Sequence, residues 1–411
     1  MGGFAEKNGR AGSPLPADSL AETAWPMVRL GDVCEEIRER IPSSKVSREG
    51  YITTDNMVKG CGGVRISESL PVGVGLVKYQ AGDILLSNIR PYLKKVWLAD
   101  HGGGCSSDVI VFRVASSGLS PEYLYRALSQ DAFFDYSMQN VSGTKMPRGK
   151  RDWIKQFEFP LPPLSVQREI VERLEKELGE TEKITAGFRR IAENAEAEFK
   201  AELDETFKAL EDDVSRGGAE TRRVRLGDVC ETGSGGTPLS SNREYYDGGD
   251  VPWLRSGEIC KRDIGNTEYC ITKKGLNSSS AKIFPADSVV VAMYGATAGQ
   301  VGILRIASST NQAICAILPS EKFVPEFLYY QLCWLNDEMV SQAQGGAQPN
   351  ISQIKIKNLN VVWPILSLQQ ASISRLDAAR ERCDKIKAEA EKGLKAAENL
   401  RKAILKEAFE R

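Results

Sequence analysis

The side chains that most often carry catalysis or bind metals are scarce and isolated in this chain of 411 residues. It has one histidine, His101 in the segment HGGGC, and nine cysteines, none of which forms a CxxC pair. Because a zinc site needs closely spaced cysteine and histidine ligands, we expect no metal site and reduced thiols. Cys34 and Cys230 occupy matching places in a repeated segment, which indicates packing. We interpret His101 as a turn residue.

The motifs of common catalytic loops are also missing. The Pro-Pro pair in Leu161–Leu164 lacks the polar and aromatic neighbours of an amino-methyltransferase loop. Gly149-Lys150 is followed by Arg151, whereas a P-loop requires Ser or Thr there. The glycine-rich segments Gly233–Pro238 and Tyr294–Gly302 lack dinucleotide-binding spacing, and turns in a β-rich domain explain them. The scattered carboxylates contain no motif that singles out a catalytic pair, so we predict no catalytic residue.

The charge and hydropathy of the chain limit its partners. Its net charge is −1, whereas proteins that bind DNA by phosphate neutralisation alone are usually far more basic. Either the protein does not bind nucleic acid, or its charge is unevenly distributed over the chain, or partner proteins supply part of the positive charge. No apolar run reaches the ~18 residues of a membrane span, and residues 1–24 lack the apolar core of a secretion signal. We expect a cytoplasmic protein with a disordered tail at 1–24.

The elements that must position functional side chains occur twice. VRLGDVC is found at Val28–Cys34 and again at Val224–Cys230. Four more pairs follow in the same order: GDILLSNI and ADSVVVAM, PEYLYRALS and PEFLYYQLC, PPLSVQ and PILSLQ, FKAELDETF and RKAILKEAF. The partners are 196, 204, 204, 202 and 202 residues apart. This predicts one unit of ~200 residues used twice, because solenoid repeats are far shorter.

Each repeat changes character at its PPL or PIL segment. Before this segment, Val- and Ile-rich runs separated by Gly, Pro, Ser and Asn are typical of strands and turns. After it, apolar residues recur with three-and-four spacing, which is typical of a coiled coil. The predicted parts are a first globular domain 25–162, a long helix 163–212, a linker 213–221, a second globular domain 222–363 and a second long helix 364–411.

The charges of the two long helices favour their pairing. Residues 163–212 have 8 basic and 14 acidic side chains, net −6, and residues 364–411 have 11 and 8, net +3. Opposite net charge favours heteropairing over self-pairing. We predict an α+β protein with two mixed α/β domains separated by a long antiparallel two-helix coiled coil, in a pseudo-two-fold internal repeat. The alternative is two separate surface helices.

An ordered series of segments resembles the DNA specificity subunits of type I restriction–modification systems. The series is LGDV, SGGTP, YYDGGDVPWLRSGEI and GAQPNISQIKIKNLNVVWPILSLQQ, followed by a long amphipathic helix. The resemblance covers essentially the whole chain after the tail, and the second repeat follows the pattern closely. The first repeat lacks SGGTP and the VPW segment, and has CEEIRERIPSSKV and GTKMPRGKRDW instead. This divergence concerns what the first domain recognises.

The resemblance implies two target-recognition domains, each of which binds one half of a split double-stranded DNA sequence, with the helices as a spacer. It implies two modification (methyltransferase) subunits that dock on the helical regions, bind S-adenosylmethionine and each methylate a flipped adenine. Restriction subunits that use ATP and Mg²⁺ would join them. The chain itself would be no enzyme and would bind no cofactor and no metal. Two equal arms suit two copies of one partner.

Recognition of bases implies hydrogen-bonding side chains carried on loops. The candidate DNA-binding residues of the first domain are Lys145, Arg148, Lys150, Arg151, Arg90, Lys94 and Lys95. Those of the second domain are Thr237, Arg255, Ser256, Lys261, Arg262, Gln348 and Asn350. Solvated basic turns are the alternative for the basic clusters, and a structural role is the alternative for Gln348 and Asn350. We interpret Trp153 and Trp253 as core residues.

Two other functions remain open on the sequence. A coiled-coil adapter whose globular domains bind a non-DNA partner would show no salt-dependent DNA binding. A solitary DNA-modifying enzyme would bind S-adenosylmethionine by itself, and the missing catalytic loop disfavours this function.

Overall fold

The computed structural model describes residues 25–341 and 351–409. The chain groups into two compact units, Met1–Ala186 with Gly393–Arg411, and Gly187–Lys392. The tail predicted for residues 1–24 lies outside the described residues. Each of the two long helices contributes residues to both units.

The first unit contains a globular domain with two four-stranded sheets. Its strands are β1 (Met27–Arg29), β2 (Cys34–Ile37), β3 (Arg40–Pro42), β4 (Tyr51–Ile52), β5 (Gly75–Tyr79), β6 (Ile84–Ser87), β7 (Val96–Leu98), β8 (Gly103–Cys105), β9 (Val109–Val114), β10 (Val141–Ser142), β11 (Arg148–Gly149) and β12 (Glu158–Pro160). One sheet has the order β2-β9-β6-β7 and the other β3-β5-β8-β4. The β4–β8 pair is parallel and its neighbours are antiparallel, so this sheet is mixed.

Helices pack against one face of the β2-β9-β6-β7 sheet. They are α1 (Leu30–Val33), α2 (Pro121–Leu128), α3 (Asp131–Met138), α4 (Arg151–Ile154) and the first part of α5 (Leu164–Ser215). Helix α2 begins at Pro121, and the Ser120 hydroxyl caps it by accepting a hydrogen bond from Tyr123 N. Its buried residues Tyr123 and Leu124 pack in one core with Leu174 of α5. The apolar stripe of α5 is thus used to hold the domain.

The second unit repeats this design. Its strands are β13 (Thr221–Arg225), β14 (Thr232–Ser234), β15 (Val251–Leu254), β16 (Asp263–Ile264), β17 (Cys270–Ile271), β18 (Ile283–Phe284), β19 (Val289–Ala292), β20 (Val301–Leu304), β21 (Ser308–Thr310), β22 (Ile314–Ile317) and β23 (Asn360–Pro364). Its sheets have the orders β14-β22-β19-β20-β16 and β17-β15-β21-β18, and both include a parallel pair. Its helices are α6 (Leu226–Val229), α7 (Lys273–Asn277), α8 (Pro325–Trp334), α9 (Asn336–Ser341), α10 (Gln353–Lys357) and α11 (Leu366–Phe409), the last shared with the first unit.

The duplicated VRLGDVC segment closes each domain. The first valine of the segment, Val28 or Val224, lies in the first strand of its domain. Strand β1 pairs antiparallel with β12, and β13 pairs antiparallel with β23, the last strand of each domain. Its leucine begins a one-turn helix, is fully buried, and donates its backbone N–H to Phe157 in the first domain and to Leu359 in the second. The segment therefore brings the start of each domain to the point where its long helix begins.

The long helices pair in antiparallel fashion within the second unit. Glu196 of α5 contacts Lys387 at 2.7 Å and Arg380 at 3.2 Å, and Glu205 contacts Arg375 at 2.9 Å. Residue numbers rise along one helix as they fall along the other. The acidic helix supplies the carboxylates and the basic helix the cations, as their net charges predict. The predicted combination of mixed α/β domains and long paired helices is confirmed.

Among the described helices, none has the length and apolar character of a membrane span.

Candidate nucleic-acid interface

Two loops of the first domain are joined by backbone hydrogen bonds. One loop follows the buried strand β6 and contains a 3-10 turn, and the other is the hairpin of β10 and β11. Arg90 N donates to Pro147 O at 2.7 Å and links the two loops. We call residues 88–93 together with residues 141–150 the first loop pair.

Four predicted residues lie in the first loop pair. Lys145 and Lys150 are exposed, and Arg148 is half exposed with its guanidinium 3.3 Å from Asp108. Arg90 is exposed and adopts left-handed backbone, with φ of 51°. A non-glycine residue in this conformation is costly, and such strain is concentrated at functional sites. The loop pair can present several hydrogen-bond donors to an anionic ligand.

The other predicted cations of the first domain are bound within the protein. Lys94 Nζ lies 2.6 Å from Asp131, and Lys95 Nζ donates to Thr54 O at 2.5 Å. Arg151 binds the carboxylate of Glu36 at 2.5 Å and also donates to a backbone carbonyl. These contacts favour a role in holding the loops, and direct DNA contact by these three residues stays a prediction.

Glu36 of β2 is a central residue that the sequence analysis did not identify. Its side chain is only 4% exposed and is bound by Arg151, by Lys155 at 2.6 Å and by Arg38 at 3.1 Å. Burial raises the pKa of Glu36, but hydrogen bonds from these three cations outweigh burial and lower it to about 2. The charged carboxylate fixes α4, which directly follows β11 and the first loop pair.

The second domain has an equivalent arrangement. The buried strand β19 leads into the 3-10 turn Gly295–Thr297, 204 residues after the turn Pro91–Leu93. Ile351 N donates to Met293 O at 2.9 Å, which joins the segment that contains Ile351 to the loop that follows β19. In the first domain, backbone hydrogen bonds join the β10–β11 hairpin to the loop that follows β6 in a similar way. We call residues 293–297 and Ile351 the second loop pair.

The predicted residues Gln348 and Asn350 lie outside the described residues, directly before Ile351. Pro349 follows Pro147 by 202 residues, which is the offset of the neighbouring PPLSVQ and PILSLQ segments. The position of Gln348 thus corresponds to Met146, and that of Asn350 to Arg148.

Thr237 lies in a tightly packed glycine loop. Its exposed hydroxyl hydrogen-bonds the side chain of Gln312, a residue that the sequence analysis did not single out. A Cβ atom at Gly235 would lie 2.0 Å from the carbonyl oxygen of Thr310. Close backbone packing therefore explains this glycine and leaves no need for an open phosphate cradle.

Three further predicted residues lie between β15 and β16. The Arg255 guanidinium stacks 3.4 Å from the centroid of the Tyr269 ring and lies 3.9 Å from Glu268. Ser256 begins a 3-10 turn and is partly buried, whereas Lys261 is exposed. Only Lys261 of these three has a side chain that extends freely from the surface of the domain.

Arg262 connects the second domain to its own long helix. Its guanidinium binds Asp377 of α11, and it also donates to Tyr330 Oη at 3.2 Å. Tyr330 in turn donates to the same carboxylate at 2.6 Å. These contacts favour a role in orienting the domain, and DNA contact by Arg262 stays a prediction.

The two tryptophans interpreted as core residues have structural contacts. Trp253 is buried and donates its indole N–H to Gly236 O at 3.0 Å, and Trp153 stacks on Tyr136 with ring centroids 4.8 Å apart. In residues 25–341 and 351–409, no group of three or more His, Cys, Asp or Glu side chains is arranged to hold a metal ion.

Comparison with known proteins extends to both repeats. The family model described as type I restriction modification DNA specificity domain matches residues 22–187 and 220–396. The EcoR124I/EcoR124II specificity subunit of Escherichia coli is 23% identical over 243 residues, which cover 56% of this chain and 57% of that protein. The HindI specificity subunit of Haemophilus influenzae is 24% identical over 416 residues, which cover 83% of this chain and 90% of that protein.

Solved structures show the same fold. A chain in a structure of a type I R-M system has a TM-score of 0.75 and 22% identity, and covers 97% of this chain and 99% of that chain. The HsdS subunit of Thermoanaerobacter tengcongensis has a TM-score of 0.50 and 22% identity, and covers 94% and 96%. Because one family model matches both repeats over most of the chain, this protein belongs to the family of type I restriction modification DNA specificity domains.

Proposed function

We propose that the chain is the non-catalytic DNA specificity subunit of a type I restriction–modification complex, and that each globular domain recognises one half of a bipartite duplex. One observation carries this proposal: the same loop pair is built twice, after equivalent buried strands, in two domains of one family. The scaffold repeats while the aligned sequences differ, GTKMPRGK at 143–150 against GGAQPNIS at 345–352. Different loops on one scaffold support recognition of two different half-sites.

The paired helices are the proposed spacer and docking region. In the first unit a groove of about 480 Å³ lies between Gln130, Ala132 and Leu405, among other residues. In the second unit a groove of about 500 Å³ is lined at the corresponding positions by Trp334, Asn336 and Leu203. Two equivalent grooves suit two copies of one partner, which we propose to be the modification subunit.

The remaining partners follow from the same proposal. S-adenosylmethionine would be bound by the modification subunits, and ATP and Mg²⁺ by the restriction subunits. The complex would act in the cytoplasm, where its DNA lies. Partner subunits can supply phosphate contacts, which explains how a chain with a net charge of −1 functions on DNA.

The proposal is tested by selecting duplexes from a random library with the purified complex of this chain and its modification subunit. We expect enrichment of two short specified sequences at a fixed separation, with binding that weakens as salt rises. Equal affinity for every sequence would contradict the proposal. Absence of salt-dependent DNA binding would favour the coiled-coil adapter. Binding of S-adenosylmethionine by the chain alone would favour a solitary DNA-modifying enzyme.

A further inference from the structure

Each loop pair presents an exposed tyrosine directly after a fully buried strand. All four residues of β6 and all four of β19 are buried. A few residues later, Tyr92 is 50% exposed and Tyr294 is 38% exposed. Tyr92 lies in the middle of its 3-10 turn, and Tyr294 immediately precedes the equivalent turn. The two domains thus each place an exposed aromatic ring in the same loop region, two aligned positions apart: Tyr294 corresponds to Arg90 and Tyr92 to Ala296.

The turn that carries Tyr92 is rigidly held. The residues on either side of the turn, Arg90 and Lys94, both have left-handed backbone, with φ of 51° and 52°. Gly60 N donates to Leu93 O at 3.0 Å, and Cys61 N donates to Lys94 O at 2.7 Å. Such strain persists only where surrounding contacts over-determine the backbone. An exposed ring on a fixed turn loses little conformational entropy when it contacts a ligand.

The turn that follows Tyr294 is held by different means. Gly295 has a φ of 75° and Gly299 a φ of 86°, so glycine meets the left-handed requirement here. Gly299 N donates to Ala292 O at 2.8 Å, which closes the turn back onto β19. The two turns therefore differ in backbone geometry, since the residues that flank the second turn, Tyr294 and Ala298, have φ of −135° and −53°.

The charge around the first ring favours a nucleic-acid ligand. Exposed Arg90, Lys145 and Lys150 belong to the same loop pair as Tyr92. Exposed aromatic rings among cationic side chains suit a DNA ligand, because the cations contact the phosphates while the ring packs against a base edge or a deoxyribose. A surface made for a protein partner would carry fewer lysines.

We infer that Tyr92 and Tyr294 are DNA-contacting residues whose rings pack against a base or deoxyribose, each in its own half-site. This inference depends on the proposed function, since it requires a bipartite duplex. It assigns the tyrosines a contact through the ring and not through the hydroxyl.

The test is equilibrium binding by the complex of the full chain with its modification subunit. The duplexes carry both half-sites, or have one half-site replaced. Tyr92→Ala should weaken binding of the intact duplex about tenfold, as expected for loss of one stacking contact. The same variant should match the wild type on a duplex whose first half-site is replaced. Tyr294→Ala should show the reverse dependence, and Tyr92→Phe should bind like the wild type.

Controls separate the outcomes. Val72→Ala and Ile283→Ala remove exposed apolar side chains, 94% and 52% exposed, that lie outside the loop pairs, and should leave affinity unchanged. Equal losses for Tyr92→Ala on all duplexes, or a loss as large for Tyr92→Phe, would overturn the assignment of the ring. Weaker assembly with the modification subunit and unchanged DNA affinity would assign the tyrosine to a protein contact. If the wild-type complex itself does not distinguish the half-sites, the proposed function fails.

Discussion

At the scale of single residues, a buried carboxylate organises the basic surface of the first domain. Three cations converge on Glu36, and one of them, Arg151, begins the helix that follows the first loop pair. A lone buried carboxylate would be costly, but here the cations compensate its desolvation. Removal of the carboxylate would leave three neighbouring positive charges to repel one another.

We predict that Glu36→Gln lowers the free energy of unfolding by about 2 kcal/mol at pH 7. The folded pKa of about 2 lies below the ordinary value of 4.5, so this contribution is complete above about pH 4.5 and is lost as the pH falls toward 2. The difference between variant and wild type in urea unfolding should therefore shrink with falling pH. Hydrogen exchange should locate the loss of protection in residues 141–155.

Glu39→Gln is the matched control for Glu36→Gln, because its carboxylate binds Lys78 at 2.8 Å on an exposed surface, with 61% of the Glu39 side chain accessible. Surface ion pairs contribute little to stability. If the two variants have equal effects, Glu36 does not anchor the loop pair.

Sequence patterns located the basic hairpin but could not assign the partner of each cation. Lys94 and Asp131 are 37 residues apart, and Arg151 and Glu36 are 115 residues apart. Arg262 and Asp377 are likewise 115 residues apart. Only the tertiary fold brings these groups together, so local sequence shows a cation without showing whether it is free. Exposed aromatic residues such as Tyr92 carry no sequence signal of their own, since most aromatics in the chain are core.

At the scale of elements, one buried glutamine fastens each long helix to its domain. The side chain of Gln167 accepts from Ser120 N at 2.9 Å and donates to Gly118 O at 2.7 Å. Gln369, 202 residues later, accepts from Val324 N at 2.9 Å and donates to Lys322 O at 2.8 Å. Each glutamine also donates to the carbonyl of a proline that lies two residues before the helix begins. The LSVQ and LSLQ segments thus set the direction in which each helix leaves its domain.

We predict that Gln369→Leu lowers the free energy of unfolding by about 2 kcal/mol, because it removes the side-chain partner of one buried and two partly buried backbone groups. Urea unfolding of the full chain measures this loss. The neighbouring Gln370 is exposed, and Gln370→Leu is the matched control with an expected change within about 0.5 kcal/mol. Similar stability of both variants would show that the amide does not fasten the helix.

Elements were more predictable than contacts. Pro121 and Pro325, in the repeated PEYLYRALS and PEFLYYQLC segments, begin α2 and α8, where a proline in the first turn has no hydrogen bond to lose. The three-and-four apolar spacing predicted the long helices, which the structure places at Leu164–Ser215 and Leu366–Phe409. The pairing order of the strands was not predictable, because non-local partners such as β15 and β21 have no local signature.

At the scale of the whole molecule, internal duplication explains the organisation of the chain. One repeat supplies a domain and a long helix, and the opposite charges of the two helices favour their pairing with each other. The proposed function requires this arrangement to behave as a ruler between two half-sites. Because a helix rises 1.5 Å per residue, seven added residues extend it by about 10 Å, or ~3 base pairs of DNA.

The most direct test is sequencing of methylated bases in cells that express the modification subunit with the wild-type chain, or with a chain carrying matched seven-residue insertions in α5 and α11. We predict that the wild type methylates a motif of two specified segments separated by a fixed number of unspecified bases. The insertion variant should retain both segments and require a spacer longer by ~3 base pairs. A continuous motif, or an unchanged spacer with full methylation by the insertion variant, would contradict recognition by two domains held apart by their own helices.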